Sequence, residues 1–341
     1  MPRVIFKGST YEAGGQSVLD CLTARGHAVP SACRAGVCQS CLMRAVRGAV
    51  PEQAQRGMTP TMVARNLFLA CQCFPAQDLE VALADDVIQR IEAKVASIET
   101  LSDEIRAVHI RPTAPFEYRA GQFVRLFMDS RTSRNYSLAS VPLLDDNLMM
   151  HVRRVPGGQV SGWIFNRMKP GDTVTISEAF GDCFYVPGRS EQNLLLLGTG
   201  CGLAPLYGIV RDALNRRHRG RIHLYHGSRD ACGLYLVEEL AGLTAMHPNL
   251  RYRPCISEGP SADGYWAGTP LQVALDENPD LSGWRVYLCG NPQMVEAARM
   301  QTFLAGAGSS EIFADPFLPT GLPTGNPPTQ STNALPSSSS S

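Results

Sequence analysis

Four cysteines, Cys33, Cys38, Cys41 and Cys71, fall in the order C-x4-C-x2-C-x29-C, and a fold that uses all four must bring a late segment back onto one tight loop. Three thiolates on a loop and a fourth on a returning segment match the ligand spacing of a [2Fe-2S] cluster, which moves one electron at a time. The loop reads Pro30-Ser31-Ala32-Cys33-Arg34-Ala35-Gly36-Val37-Cys38-Gln39-Ser40-Cys41. A structural zinc site would more commonly draw on two C-x2-C pairs, and only Cys38 and Cys41 form one. Disulfides would need an oxidising compartment. The opening Met1-Pro2-Arg3-Val4-Ile5-Phe6-Lys7 lacks the apolar core of a signal peptide, and the cysteine total of 11 is odd, so the cytoplasm is the expected location. Cys73 would point away from Cys71 in an extended stretch and reads as a packing residue. Gly36 is expected to let the loop fold back so that N–H groups face the sulfurs.

At 341 residues, 44% of them hydrophobic, the chain has room for two or three domains. Its 31 basic and 31 acidic residues cancel, so nothing points to nucleic acid or an anionic membrane as partner. No apolar run approaches the length of a membrane span. To about residue 85, strand-like pieces at 3–7, 42–46 and 79–83 surround a helix opened by Ser17 and Asp20, predicting a small mixed sheet. From about 91 to 186, short strands at 122–128, 136–139 and 149–155 predict an antiparallel barrel interrupted by one helix over 160–168. Beyond 192, apolar strands at 194–197, 222–225, 250–255 and 286–289 alternate with helices, the pattern of a parallel sheet covered on both faces. The stretch 319–341 is rich in Pro, Thr and Ser and is expected to be disordered.

Two further regions carry chemistry. Gly198-Thr199-Gly200-Cys201-Gly202-Leu203-Ala204-Pro205 stands where the first parallel strand passes into a helix. Glycines there admit a pyrophosphate close to the backbone, and the helix start offers N–H groups to its charge; a plain tight turn has the same composition. Cys289-Gly290-Asn291-Pro292-Gln293-Met294, at the end of the fourth strand, would open on the same crevice. The barrel holds Arg134-Asn135-Tyr136-Ser137, then His151-Val152-Arg153-Arg154, then Gly157-Gly158-Gln159-Val160-Ser161. An arginine can clamp a phosphate, a tyrosine can stack on a flat ring, and a glycine-rich helix start can bind another phosphate. A surface ion pair, a half-buried strand aromatic and a hairpin turn would account for the same residues.

Taken in order, Arg-x-Tyr-Ser, Gly-Gly-x-x-Ser, Gly-x-Gly-x-Gly-Leu-Ala-Pro and Cys-Gly-x-Pro-x-Met resemble the ferredoxin-NADP reductase superfamily. With the cysteine motif ahead of them, the chain is similar to the reductase components of bacterial aromatic-ring oxygenases, of the naphthalene dioxygenase kind. The likeness runs over about residues 1–318 and includes His151-Val152-Arg153-Arg154-Val155-Pro156-Gly157-Gly158 and Ile312-Phe313-Ala314-Asp315-Pro316-Phe317. It implies a plant-type [2Fe-2S] ferredoxin domain of β-grasp fold (1–88), an antiparallel β-barrel for FAD (89–189) and a doubly wound parallel-sheet NAD(P) domain (190–318).

By that resemblance Cys33, Cys38, Cys41 and Cys71 ligate the cluster, Arg134 holds the FAD pyrophosphate, Tyr136 stacks on the isoalloxazine and Ser137 lies near its reactive nitrogen. His151, Val152, Arg153, Gly157, Gly158 and Ser161 belong to the same cofactor, while Gly198, Thr199, Gly200 and Gly202 cradle the dinucleotide. Cys289 and Gly290 border the nicotinamide, and Phe317 lies against the flavin face; Tyr136, Ser137, Cys289 and Phe317 form the implied catalytic set. Three places depart from the pattern. Cys201 replaces a common threonine, Ser177-Glu178-Ala179-Phe180-Gly181 lacks Gly-Pro, and Ser228-Arg229-Asp230 mixes signals for NADPH and NADH, leaning to NADH.

The implied activity passes electrons from NAD(P)H through FAD and the cluster to a separate ferredoxin or terminal oxygenase, from a monomer. Reductases that donate directly to a diiron monooxygenase or to a deoxysugar dehydratase share the domain order. A redox-responsive binding module with a vestigial flavin domain is the non-enzyme alternative, disfavoured by the intact nucleotide motifs.

Overall fold

In a computed structural model the chain is described at residues 1–31, 34–36, 41–84, 88–129, 132–258 and 264–317. Cys33, Cys38 and the tail 319–341 lie outside the described residues.

The first unit contains β1 (Arg3–Phe6), β2 (Ser9–Glu12), α1 (Val18–Thr23), β3 (Leu42–Arg47), α2 (Pro60–Ala64), β4 (Leu67–Leu69) and β5 (Leu79–Leu83). Its strands form one sheet in the order β2-β1-β5-β3-β4, with β1 and β5 parallel and the other pairs antiparallel. Ser17 starts α1 by accepting the Asp20 N–H at 3.1 Å, and its own hydroxyl donates to the Asp20 carboxylate at 2.6 Å, so the acid supports the cap from the side-chain end. The buried face of α1 (Val18, Leu19, Cys21, Leu22) packs with Val4, Phe6, Met43 and Phe68 into one cluster, giving the β-grasp arrangement. Burying each of the larger apolar side chains contributes about 1.5–3 kcal/mol.

The second unit contains β6 (Arg90–Ser102), β7 (Ile105–Pro112), β8 (Phe123–Phe127), β9 (Ser133–Ser137), β10 (Leu148–Arg153), α3 (Gln159–Asn166) and β11 (Thr173–Ser177). The strand order is β10-β7-β6-β11-β8-β9, all antiparallel, and a bridge between Leu138 and Met150 joins the two ends into a barrel. The long β6/β7 hairpin is not among the strands expected from the sequence. Register shifts between Val95 and Ser97 and between Thr100 and Ser102 break the two-residue alternation that would have marked it. Val160 and Ile164 of α3 join the barrel core.

The third unit contains β12 (Leu194–Thr199), α4 (Leu203–Asn215), β13 (Ile222–Ser228), α5 (Val237–Met246), β14 (Leu250–Ile256), β15 (Trp266–Ala267), α6 (Pro270–Glu277), β16 (Arg285–Gly290), α7 (Pro292–Leu304) and β17 (Ile312–Pro316). Six parallel strands run β15-β14-β13-β12-β16-β17, two more than expected, because β15 is only two residues long and β17 is a half-exposed edge. Leu194 and Leu196 pack with Leu206 and Ile209 of α4, while Leu195 and Leu197 pack with Ala274 of α6 and Val295 of α7. Alternate leucines thus serve opposite faces of a doubly covered sheet. Strand order reverses between β12 and β16, and the crevice at such a switch point is where α/β sheets bind nucleotides. Among the described residues no helix is long and apolar enough to cross a membrane.

Candidate functional site

The crevice is built by glycines that let two loops touch. Gly198 on β12 stands opposite Cys289 on β16. A Cβ on Gly202 would lie 2.2 Å from the Cys289 carbonyl oxygen, and one on Gly290 (φ +119°) would lie 2.6 Å from the Thr199 carbonyl oxygen. These two glycines therefore bring the crevice motifs into contact. Gly200 (φ +52°) has an open side, its nearest neighbour there being a guanidinium nitrogen of Arg153 at 3.8 Å. The Thr199 hydroxyl accepts the Asn291 N–H at 3.0 Å, locking the loops together. A tight turn over Gly200–Gly202 leads into α4, whose Leu203 N–H is taken up by the Gly200 and Cys201 carbonyls and whose N-cap Gly202 supplies no side-chain cap.

On the barrel side, Ser137 is buried and its hydroxyl donates to the Asp315 carboxylate at 3.3 Å. Burial pushes the Asp315 carboxyl up to about 6, and the Ser137 hydrogen bond pulls the other way. Asp315 is paired across the sheet with Cys289, and Phe317 donates its N–H to the Gly290 carbonyl at 2.8 Å. Ser137, Cys289 and Phe317, expected to act together, thus converge around Asp315. Asp315 escaped the sequence reading as a site residue, and the signal was an acid within the partly apolar edge stretch Ile312–Pro316. The Cys289 sulfur lies 3.5 Å from that of Cys183, and burial pushes the Cys289 thiol well above its ordinary range, so it is held neutral.

Arg134 and Tyr136 alternate with Ser137 along β9 and share the opposite face. Arg134 donates to the Ser133 carbonyl at 2.5 Å. Tyr136 is half-buried against the barrel core, and burial, seconded by Cys201, pushes its phenol above the usual range. Val152 is fully buried in the barrel core, which leaves only its backbone for a cofactor. The His151 ring is buried with Nδ1 3.1 Å from the Tyr235 hydroxyl, and burial first, then the neighbouring His109, His226 and Arg211, lowers its pKa to about 3. Its Nε2 has no partner among the described residues, an orphan of the kind a ligand or water satisfies. Arg153 pairs with Glu104 at 2.8 Å beside Gly200. Gly157 has φ +71°, and a Cβ on Gly158 would lie 2.5 Å from the Ser161 Oγ, which accepts the Val155 N–H at 3.2 Å. A cavity of about 380 Å³ opens there between Arg154, Gly157, Gly158, Trp163 and Arg167. In the third departing motif, Asp230 caps its own turn by accepting the Gly233 N–H at 3.1 Å.

At the cluster end, Cys41 and Cys71 are close enough to hydrogen-bond, and burial raises the Cys41 thiol to about 11. Gln72 ties the cysteine loop to the returning segment, donating to the Arg34 carbonyl at 3.2 Å and to the Cys71 sulfur at 3.7 Å. Gly36 (φ +78°) lets the loop pass, since a Cβ there would lie 2.9 Å from Gln72 Cγ. Cys73 is buried in the hydrophobic cluster, as a packing residue would be. Paired thiols with a backbone and amide shell fit an iron-sulfur cluster, and the open glycine loop and orphaned imidazole fit flavin and dinucleotide.

The family model of the 2Fe-2S iron-sulfur cluster binding domain matches residues 5–76. That of the oxidoreductase FAD-binding domain matches 92–185, and that of the oxidoreductase NAD-binding domain matches 196–300. The ferredoxin–NAD(P)(+) reductase component of a naphthalene 1,2-dioxygenase system from Pseudomonas putida is 33% identical over 91% of this chain and 96% of its own length. The chain belongs to the ferredoxin reductase superfamily. The reductase subunit of an aromatic O-demethylase from an Amycolatopsis species is 35% identical over 83% of this chain and 88% of that protein. A crystal structure of an Amycolatopsis cytochrome P450 reductase superposes with a TM-score of 0.68 at 32% identity, covering 94% of this chain and all (100%) of the other. This reductase is an oxidoreductase with 2Fe-2S, FAD and NAD domains, the set that carries electrons from NAD(P)H through FAD to the cluster.

Proposed function

We propose that this reductase takes electrons from NADH and delivers them one at a time to the ferredoxin or oxygenase component of an aromatic-ring oxygenase system, acting as a monomer in the cytoplasm. The observation that carries the reading is the convergence of Ser137, Asp315 and Cys289 where the barrel meets the dinucleotide crevice, with Phe317 tethered beside them. The chemistry supplied by FAD and the cluster is the conversion of a two-electron hydride into single electrons.

The chain's own residues orient that chemistry. Gly198, Thr199, Gly200 and Gly202 would receive the dinucleotide on the amides of α4, and Cys289 and Gly290 would border its nicotinamide. Arg134, Gly157, Gly158 and Ser161 would hold the flavin phosphates, with His151, Val152 and Arg153 lining the same cofactor and Tyr136 against its ring. Phe317 would cover the flavin face until the nicotinamide displaces it. The Ser137 hydroxyl, backed by a carboxyl that titrates near pH 6, can give or take the proton that accompanies a hydride. Cys33, Cys38, Cys41 and Cys71 would hold the iron. Domains of 1–88, 89–189 and 190–318 are supported by family matches that fall within each range.

Replacing Cys71 by serine tests the order of transfer. The expected result is flavin bleaching by NADH at the unaltered rate with no reduction of cytochrome c or a partner ferredoxin; acceptor reduction at an unchanged rate would refute the relay.

A further inference from the structure

The stretch Ser177-Glu178-Ala179-Phe180-Gly181, which departs from the family pattern, is where the ferredoxin unit meets the barrel. Glu178 faces Arg44 of β3 at 3.7 Å and accepts the Gln89 N–H at 3.0 Å. The Ala179 carbonyl accepts from the Arg65 guanidinium, which lies 4.4 Å from the centre of the Phe180 ring. Asp182 accepts from the Thr61 hydroxyl. Four of five consecutive residues on one loop thus hold side chains from β3, from α2 and from Arg65 at its C-terminal end. Arg65 is the residue they share most, stacked on an aromatic face and bonded to a carbonyl, a use that suits guanidinium.

The loop also reaches the flavin site. Phe180 and Phe123 exchange backbone hydrogen bonds of 2.8 and 2.7 Å, and their rings stack with centres 5.9 Å apart at 28°. Phe123 stands opposite Ser137 in the β8/β9 pair. On the other side, β3 begins at Leu42, directly after the ligand Cys41. Contacts therefore tie β3, through Arg44 and Glu178, and Arg65, through Phe180 and Phe123, to the strand pair that carries Ser137.

We propose that residues 178–182 are the docking platform of the ferredoxin unit and that Arg65 is a positioning residue that sets the separation of flavin and cluster. The step it governs oxidises the reduced flavin by one electron and reduces the cluster by one, and its rate falls exponentially with that separation. The proposal rests on the electron order given above.

The test compares the holoprotein with its Arg65→Ala, Arg65→Lys and Phe180→Leu variants, each checked for both visible cofactor bands. Anaerobic rapid mixing with NADH should show flavin bleaching at the unaltered rate in all four. Cluster bleaching should slow severalfold in Arg65→Ala, because the transfer rate falls exponentially as the flavin–cluster separation grows. Phe180→Leu should slow it in the same direction, and Arg65→Lys should restore most of the rate. Hydrogen-deuterium exchange of 178–182 and 59–65 should rise in Arg65→Ala, a readout independent of turnover. Unchanged cluster bleaching, or slowed bleaching without added exchange at the dock, would overturn the proposal. Failure of NADH to bleach the flavin in the unaltered protein would instead sink the reading of the site, and the exchange comparison would still decide the dock.

Discussion

Replacing Asp315 by asparagine removes a carboxyl that the fold holds between barrel and crevice. Its pKa is raised from 3.8 to about 6 by burial, a shift of about 2 units, equivalent to at most about 3 kcal/mol between its two protonation states. A carboxyl whose pKa rises on folding destabilises the folded state once it ionises. The effect is absent below about pH 4 and complete above about pH 6. Asp315→Asn should therefore leave stability nearly unchanged at pH 4 and raise it by up to about 3 kcal/mol at pH 8, read by urea unfolding of the crevice domain. Carbon-13 NMR of labelled aspartate should give a midpoint near 6 for Asp315 in the unaltered protein. In Ser137→Ala, which removes the hydrogen bond that favours the ionised form, the midpoint should climb by about one unit, taking about 1.5 kcal/mol for a long charge-assisted bond. A midpoint near 4 in the unaltered protein, or an Asp315→Asn stability gain that does not vary with pH, would refute the reasoning.

Two other substitutions probe the crevice. Gly202→Ala forces a Cβ against the Cys289 carbonyl, so it should cost about 1–3 kcal/mol of stability and weaken NADH binding, seen as a raised KM and a lowered Tm. Asp230→Ala removes a turn cap worth about 1 kcal/mol and the acid that suits a free ribose hydroxyl, so the ratio of kcat/KM for NADH over NADPH should fall; an unchanged ratio would exclude Asp230 from coenzyme choice.

What was legible in the sequence was what local chemistry demands. Gly202 and Gly290 can be read in advance because no other residue lets two backbones approach so closely, and Leu194–Leu197 because a strand covered on both faces must be apolar throughout. The Cys33-Cys38-Cys41-Cys71 spacing was legible for the same reason, although half of that set lies outside the described residues. Asp315 was not, because its role comes from Ser137, 178 positions earlier, and a lone acid on an edge strand ordinarily signals solvent. The β6/β7 hairpin was hidden by its bulges, and β15 by its length. The departure at 177–181 was visible as a missing Gly-Pro, yet its meaning depends on Arg44 and Arg65 of another domain, a relation no local pattern records.

In the proposed relay electrons reach the cluster only through the flavin. Its most direct test is the low-temperature electron paramagnetic resonance of protein stripped of FAD but retaining the cluster, mixed anaerobically with NADH. No reduced-cluster signal is expected until FAD is added back, and full signal afterwards. A reduced-cluster signal from NADH in the flavin-free protein would contradict the relay.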